Sequence, residues 1–275
     1  YCSYCVVPFV RGVEKNLDYD TIVNKCFSAV KNGIKEITFI GQNVNSYKCN
    51  GINFSLLLKN ISLIKNLERI RFITNHPKDF SDELINTIAT NSKICSHIHL
   101  PMQSASNKIL QLMNRKYTYE YYLNLIKKLR FSIPDVNITT DIIVGFPGET
   151  REDFNCTLNA VKNLKFGWLY VFKYSRRQNT YAFDMNDNIS VKEKEIRHFI
   201  ILNEASKISS KITLNMVGNK YQVLVEKING NFMESKTRNG YKVFLKINEK
   251  HYGKIVNVIV KNANTHSLFG NVIDE

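Results

Sequence analysis

The chain has 275 residues, 44% of them hydrophobic and 11% aromatic, which excludes a disordered chain and allows one large domain and one small one. The net charge of +14 suggests a polyanionic partner, RNA or DNA first, although the excess of Lys over Arg and the abundance of Asn also fit a compositional habit of the whole proteome. No apolar run reaches the roughly 18 residues of a membrane span, and no signal-like segment opens the chain. We therefore expect a cytoplasmic protein that does not engage a membrane.

Helix-like and strand-like segments alternate from residue 19 to residue 212. Helices are predicted over residues 19–32, 54–65, 81–90, 106–113, 118–131, 150–164 and 191–212, and strands over 37–40, 69–73, 97–100, 137–144 and 168–174. Short strands separated by helices indicate parallel strands with crossover helices, in an α/β barrel or a doubly wound sheet. The first helix has no strand before it, so we expect the strand that feeds it to lie upstream of Tyr1.

The pattern changes after residue 212. Short alternating runs at 221–225, 241–245 and 255–260 are separated by turn signals such as Asn229-Gly230 and Asn239-Gly240. The segment carries nine Lys or Arg residues against five Asp or Glu residues, so it is mildly basic. We predict two domains, residues 1–212 of α/β type and residues 213–275 forming a small OB-like β-barrel.

The chain opens on a cysteine pair, Cys2 and Cys5, whose spacing brings two thiols onto one turn. The spacing alone allows three kinds of site: half of a zinc site, a redox dithiol, or part of an iron–sulfur site. The sequence holds no second Cys-x-x-Cys pair, which disfavours zinc, and Val-Val-Pro follows where a redox motif would begin a helix. The other four cysteines have apolar neighbours and are expected to be buried hydrophobes.

Longer motifs extend from this pair along the chain. CSYCVVPFVRG at 2–12 resembles the cluster loop of radical S-adenosylmethionine methylthiotransferases. The resemblance continues in GQNVNSY at 41–47, NHPKD at 75–79, HLPMQS at 99–104, LMNR at 112–115, DIIVGFPGET at 141–150 and SLFG at 267–270. The last of these resembles the end of the family's TRAM module, an RNA-binding β-barrel. The loop at 41–47 most resembles the branch that methylthiolates carbon 2 of isopentenyladenosine beside the tRNA anticodon.

The resemblance implies a partial (β/α)6 radical SAM barrel lacking its first strand, followed by an OB-like TRAM barrel. Cys2 and Cys5 would be catalytic as two thiolate ligands of a 4Fe–4S cluster, whose open iron would bind S-adenosylmethionine. The family's first cluster cysteine would lie three residues upstream of Tyr1. We therefore expect an N-terminally truncated chain that lacks the third ligand, with a second 4Fe–4S cluster only in the full-length protein.

The resemblance also assigns residues to S-adenosylmethionine. Tyr4 would touch the adenine, residues 41–43 the methionine end, and residues 103, 104 and 115 the ribose or carboxylate. The full predicted cofactor-binding set is Tyr4, Gly41, Gln42, Asn43, Gln103, Ser104, Arg115, Asp141, Gly145, Gly148 and Glu149. Two segments depart from the family: 103–106 reads QSAS rather than QSGS, and 174–180 reads YSRRQNT rather than YSPRPGT. The second departure loses two prolines and a glycine, which predicts either relaxed constraint or a loop of altered shape.

The implied function is enzymatic methylthiolation of carbon 2 of N6-isopentenyladenosine in tRNA. The implied partners are a tRNA anticodon stem-loop and an electron-donor protein, and we expect a monomer. Two alternatives are a catalytically inactive fragment that retains RNA binding and a branch that acts on another substrate. We expect the 275-residue chain by itself to assemble its cluster poorly and to show no methylthiolation.

Overall fold

The structure is a computed structural model that describes residues 2–273. In chain order, the elements up to residue 214 are α1 (Val7–Arg11), α2 (Tyr19–Lys31), β1 (Glu36–Phe39), β2 (Lys48–Cys49), β3 (Ile52–Asn53), α3 (Phe54–Ser62), β4 (Arg69–Phe72), α4 (Asp82–Thr90), β5 (His97–His99), α5 (Asn107–Leu112), α6 (Tyr119–Ser132), β6 (Asn137–Val144), α7 (Arg151–Leu164), β7 (Leu169–Lys173) and α8 (Val191–Leu214). Within residues 2–273, no helix is both long enough and apolar enough to cross a membrane.

Five parallel strands form the framework of this part of the molecule. β1 pairs with β4, and β5, β6 and β7 pair in that order. A bridge between Ile70 and Ile94 joins the two groups. The five strands predicted from the sequence are therefore confirmed, in the parallel arrangement that crossover helices require. The short α1 helix and the β2–β3 hairpin were not predicted.

The two faces of the strands differ in chemistry because successive side chains point in opposite directions. Ile70, Ile98 and Ile142 are fully buried in the core against the helices. The opposite face carries polar and aromatic side chains, among them Arg71 and His99. This second face is the concave face of the partial barrel, and it carries the chemistry described below.

Side-chain caps begin most of the helices at the positions that the sequence indicates. Asp18, Asn53, Ser81, Thr118 and Ser190 each accept a hydrogen bond from a backbone N–H in the first turn. Such a cap contributes about 1 kcal/mol. The caps explain why the predicted helix starts agree with the observed ones to within one residue.

The C-terminal strands are β8 (Lys220–Asn229), β9 (Phe232–Thr237), β10 (Lys242–Lys246), β11 (Ile255–Ala263) and β12 (Ser267–Val272). They close into a barrel in the order β10-β12-β11-β8-β9, around a core that includes Val223, Val243 and Leu268. This agrees with the predicted OB-like module, although β9 and β12 were not identified from the sequence. The predicted boundary at 212/213 falls in the last turn of α8. The outer ends of the two predicted domains, residues 1, 274 and 275, lie outside the described residues.

Two buried arginines on β4 fasten this barrel to the concave face. Arg69 donates to the carbonyl oxygens of Lys236 at 2.9 Å and Gln222 at 3.0 Å. Arg71 donates to the carbonyl oxygens of Thr237 and Arg238 at 3.1 and 3.2 Å, and it also forms an ion pair with Glu36 on β1. The β-barrel is thus held through its own backbone, by charged groups that are buried at the junction.

The turn between β9 and β10, residues 238–241, fills the N-terminal mouth of the partial barrel. Asn137 donates from Nδ2 to the carbonyl oxygen of Asn239 at 2.8 Å. The ring of Tyr241 lies edge-on to Trp168, with 5.6 Å between centroids. We call residues 238–241 the barrel turn. It occupies the N-terminal ends of the strands, opposite the C-terminal ends at which barrel enzymes build their sites.

Candidate functional site

The loop that carries the cysteine pair is held by the buried residue between them. Ser3 donates its backbone N–H to the carbonyl oxygen of Met113 at 3.0 Å, and its own carbonyl accepts from Ala182 at 2.8 Å. Cys5 donates its N–H to the carbonyl oxygen of Cys2 at 3.2 Å, which closes a turn. Contacts on both sides therefore fix the loop, and the thiols lie half-buried on one turn.

Arg115 connects this loop to the end of β5. Its guanidinium donates to Cys2 Sγ at 3.1 Å, to the carbonyl oxygen of Pro101 at 3.2 Å and to the hydroxyl of Tyr117 at 3.1 Å. Burial by itself lowers the pKa of Arg115, but Tyr117, Tyr4 and Cys2 together raise it above its ordinary range. The side chain is therefore a fixed cation, and a cation in contact with Sγ suits a thiolate ligand.

The two thiols open into a cavity of about 500 Å³ at the C-terminal ends of the strands. Residues 41–43, which follow β1, form one wall, and Thr74 and His76, which follow β4, form another. The complete lining is Cys2, Cys5, Val7, Pro8, Gly12, Glu14, Gly41, Gln42, Asn43, Thr74, His76, Lys78, Asn114 and Lys116. The structure thus brings five predicted site residues to one cavity, at the strand ends where barrel enzymes build their sites.

Buried acceptors and backbone strain occur at the cavity wall and in the segment that follows β5. Within residues 2–273, Asn43 Oδ1 and Gln103 Oε1 are buried oxygens with no donor. Thr74 and Gln103 adopt left-handed backbone conformations, with φ of 69° and 67°. Left-handed φ is costly for residues other than glycine, and most of all for a β-branched one, and such strain is concentrated at functional sites.

Sequence reasoning noted His76 and Lys78 only as part of a family motif and gave them no role. Burial, with contributions from Arg115 and Lys78, lowers the pKa of His76 to about 3. The imidazole is therefore neutral near pH 7, and its ring lies edge-on to Tyr117 at 5.7 Å. Thr74 carries no sequence signal that could have identified it, since threonine disfavours the backbone conformation that it adopts here.

The donor set fits part of a cysteine-ligated iron–sulfur site. Cys2 and Cys5 are free thiols that share one cavity, and a cationic donor contacts the first of them. Across residues 2–273, no group of three His, Cys, Asp or Glu side chains is arranged to hold a metal ion. The unpaired oxygens of Asn43 and Gln103 are acceptors suited to the N–H and O–H groups of a nucleoside or amino-acid cofactor.

Other predicted site residues lie away from the cavity lining. Ser104 is fully buried, and its hydroxyl bonds to Thr157 Oγ1 at 3.2 Å. Glu149 accepts from the N–H of Gly145 at 2.8 Å and pairs with Arg197 on α8 at 2.6 Å. Burial raises the pKa of Glu149, although Arg197 opposes the shift. The Glu149 carboxylate therefore shapes its own loop, and the carbonyl oxygen of Gly148 accepts from a lysine on α5.

Asp141 belongs to a chain of hydrogen bonds on the concave face. Its carboxylate lies 3.3 Å from Nε2 of His99, whose Nδ1 lies 3.0 Å from the hydroxyl of Thr139. The same hydroxyl lies 3.0 Å from Nε2 of His97. The backbone carbonyl of Asp141 accepts from the N–H of Gln103 at 2.8 Å. This chain runs from the barrel turn towards the C-terminal ends of the strands.

The segment that departs from the family pattern at 174–180 keeps a tight loop. Asn179 has φ of 66°, the left-handed conformation that glycine would adopt most easily and that asparagine tolerates. Arg176 lies over the ring of Phe183 at 4.5 Å, and Thr180 Oγ1 donates to the carbonyl oxygen of Arg177 at 2.7 Å. Asparagine thus supports a turn at the position where the family has glycine.

Comparison with known proteins places these features in families. Residues 1–161 match the Radical SAM superfamily, and residues 214–273 match the TRAM domain. The tRNA-2-methylthio-N(6)-dimethylallyladenosine synthase of Endomicrobium trichonymphae is 56% identical over 99% of the chain. The synthase of the same name from Thermodesulfovibrio yellowstonii is 46% identical over 99% of the chain. The chain spans 65% and 63% of the lengths of these two relatives.

Solved structures show the same fold at low sequence identity. Coproporphyrinogen III oxidase from Escherichia coli, a radical SAM enzyme, aligns with a TM-score of 0.51 and 17% identity, over 68% of this chain and 44% of its own. A radical S-adenosylmethionine methyltransferase from Kitasatospora setae, with cobalamin and a [4Fe–4S] cluster bound, aligns with a TM-score of 0.54 and 18% identity, over 66% of this chain and 36% of its own. The chain therefore belongs to the radical SAM superfamily, whose enzymes use a 4Fe–4S cluster and S-adenosylmethionine, and it carries a TRAM domain.

Proposed function

We propose that this chain forms the radical SAM and RNA-binding parts of a cytoplasmic tRNA methylthiotransferase, divided near 212/213. Its substrate would be carbon 2 of N6-isopentenyladenosine beside the anticodon. The observation that carries the proposal is the shared cavity of Cys2, Cys5 and residues 41–43, with Arg115 in contact with Cys2. The relatives at 56% and 46% identity, both named for this product, support the choice of substrate.

Two thiols, one arginine and two buried amides have separate roles in this proposal. Cys2 and Cys5 would be cluster ligands, and Arg115 would hold the first thiolate in place through a bond that is already 3.1 Å long. When bound, the cluster would supply the electron that breaks a carbon–sulfur bond of S-adenosylmethionine. The buried oxygens of Asn43 and Gln103 would accept hydrogen bonds from the cofactor and fix its orientation.

The β-barrel supplies a basic surface for the RNA. Lys242 and Lys246 alternate with Phe244 on one face of β10, and the ring of Phe244 stacks on Phe269 at 5.6 Å. Lysines interleaved with aromatic rings on a small barrel suit a nucleic-acid backbone and unpaired bases. Because phosphate contacts release counterions, the proposal predicts that RNA affinity falls as salt rises.

A chimaera tests the proposal directly. Residues 1–275 would replace the matching region of the Endomicrobium trichonymphae relative, in a bacterium without its own enzyme. Nucleosides from total tRNA are then analysed by mass spectrometry for the 2-methylthio derivative of isopentenyladenosine. The matched control carries Cys2→Ala and Cys5→Ala, and it should give no product.

The possible results separate the proposed function from its alternatives. Product from the chimaera and none from the control would support the proposal. A soluble, folded chimaera that leaves the tRNA unmodified would overturn it. In that case, tRNA binding by the chain would favour an inactive RNA-binding protein, and a methylthio group on another substrate would favour a different branch.

A further inference from the structure

Four aromatic side chains follow one another along β7 and its ends. Trp168, Tyr170, Phe172 and Tyr174 are spaced by two residues, so in extended backbone they share one face. The residues between them point the other way, since Leu169 and Val171 belong to the core against the helices. The four rings therefore form a column on the concave face, which we call the β7 column.

Both ends of the β7 column are fixed by packing. Trp168 lies against Tyr241 of the barrel turn, with 5.6 Å between ring centroids. Tyr174 packs edge-on against Phe146 at 5.1 Å, and Phe146 packs in turn against Tyr4 at 6.1 Å. The column therefore extends from the TRAM barrel to Phe146, which connects it to the loop that carries the cysteine pair.

The two central rings of the column are open. Tyr170 is 53% exposed and Phe172 is 51% exposed, whereas Tyr174 is 6% exposed. Tyr170 makes only an edge contact with His99, at 6.4 Å, and within residues 2–273 no ring contact involves Phe172. Half-exposed neighbouring aromatic rings, on a face that is otherwise tied together by hydrogen bonds, present a flat apolar surface to a planar ligand.

The neighbouring strand adds a polar group beside these rings. Asp141 on β6 is the register partner of Tyr170, and parallel register partners point to the same face. Its carboxylate is already oriented by His99 at 3.3 Å. A carboxylate only accepts hydrogen bonds when ionised, so it favours a planar ring that presents an amino N–H, as adenine does.

We propose that Tyr170 and Phe172 form the stacking wall for an unpaired adenine base of the RNA, with Asp141 beside its amino edge. The inference rests on the proposed function, which supplies RNA as the partner. The position of the column supports an RNA base in particular, because one end touches the TRAM barrel and the other packs against Phe146, which in turn contacts Tyr4 in the cysteine loop. The chain's net charge of +14 is complementary to the phosphates that would carry the base there.

The test uses the full chain and an RNA stem-loop with 2-aminopurine in place of the target adenine. Stacking on an aromatic ring changes the fluorescence of this base, while anisotropy of an end label reports binding of the whole RNA. The variants are Tyr170→Ala, Phe172→Ala, Phe172→Leu, which keeps apolar volume without a ring, and Phe172→Tyr, which keeps the ring. Phe131→Ala is the matched control, since Phe131 is 91% exposed on α6.

Wild-type chain should change the 2-aminopurine signal on binding. Phe172→Ala and Phe172→Leu should both remove the change and weaken binding roughly 5- to 150-fold, the range for one lost base stack. Phe172→Tyr and Phe131→Ala should behave like wild type. Tyr170→Ala should resemble Phe172→Ala.

Three contrary results are distinguishable. RNA binding by wild-type chain with a 2-aminopurine signal that Tyr170→Ala and Phe172→Ala leave intact overturns this inference and leaves the proposed function standing. If the wild-type chain fails to bind the RNA at low salt, this inference is overturned, and so is the proposal that RNA is the partner. A Phe172→Leu variant that behaves like wild type would show an apolar contact instead of a stack, and would also overturn the inference.

Discussion

Gly240 lies so close to His97 that a Cβ atom added to the glycine would sit 2.8 Å from Cγ of the imidazole. The glycine also has φ of 89°, a conformation that side chains rarely adopt. It stands in the barrel turn, so the fit of the β-barrel into the partial barrel depends on a residue without a side chain. The TRAM barrel and the radical SAM strands are therefore matched in shape at one point.

Gly240→Ala is expected to destabilise the chain through this contact. The matched control is Gly230→Ala, since Gly230 also has positive φ, at 57°, but its added Cβ would meet nothing within 4 Å. Both variants carry backbone strain, and only the first adds a clash, so Gly240→Ala should cost about 1–3 kcal/mol more. Urea unfolding at pH 7 measures the difference. If both variants lose the same free energy of unfolding, the close contact between residue 240 and His97 does not contribute to the destabilisation.

His97 should make the chain sensitive to acid. Burial, followed by the charge of Arg71, lowers the pKa of His97 to about 3. Because the unfolded chain binds this proton near pH 6.5 and the folded chain does not, stability is full above about pH 6.5 and falls as pH drops towards 3. The loss has an upper limit of about 1.4 kcal/mol per pH unit. His97→Gln should flatten the pH dependence of the free energy of unfolding, measured with urea, over this window. If the slope of that free energy against pH is unchanged, the acid sensitivity does not come from His97.

Arg115→Met is expected to loosen the cysteine loop. The substitution removes three hydrogen bonds, to Cys2, Pro101 and Tyr117, from a buried position. We expect the free energy of unfolding to fall by roughly 2–4 kcal/mol, because the substitution leaves buried polar groups unpaired. Lys116→Met is the neighbouring control, since Lys116 is exposed and should stay within about 0.5 kcal/mol of wild type. Chemical unfolding of the two variants checks the prediction, which fails if they are equally stable.

Glu149→Gln should be costly because it breaks a buried ion pair. Glu149 and Arg197 have side chains that are 1% and 7% exposed and lie 2.6 Å apart. Removing one charge from a buried pair costs about 3–5 kcal/mol when the other charge is left uncompensated, and here Arg197 keeps its pair with Glu193 at 2.8 Å, so this range is an upper limit. Asp82→Asn removes the carboxylate of the exposed pair with Lys128, which is worth about 1 kcal/mol or less. Thermal unfolding should therefore separate the two variants clearly, and similar melting temperatures would rule out the buried pair as a major contributor.

Local sequence signals predicted the alternating part of the fold well. The strand at 69–72 alternates arginine with apolar residues, and the strand at 137–144 is rich in β-branched residues. Both lie between capped helices, and both predictions agree with the observed bounds to within one residue. β9 was missed because FMESKT mixes charge with apolar residues. β12 was missed because Gly270 interrupts it, although the glycine is needed where its added Cβ would lie 2.5 Å from the carbonyl oxygen of Ile259.

The candidate site was predictable where one short segment carries it and unpredictable where distant segments meet. The motifs located Cys2, Cys5 and residues 41–43, which the fold does bring to one cavity. Nothing local indicates that Glu149 turns to Arg197, 48 residues away in sequence. Nor does any local signal place Arg69 against the backbone of a second domain, since that contact exists only once both domains have folded.

The β7 column has a consequence for distance. Its anchored ends, Trp168 and Tyr174, are six residues apart, and an extended chain rises about 3.3 Å per residue, so they lie about 20 Å apart. The rise per residue of an extended strand varies little, so the span from the barrel turn to the contact with Phe146 is set by residue count. In the proposed complex, this fixed span would select a nucleotide by its distance along the RNA from the site where the TRAM barrel binds.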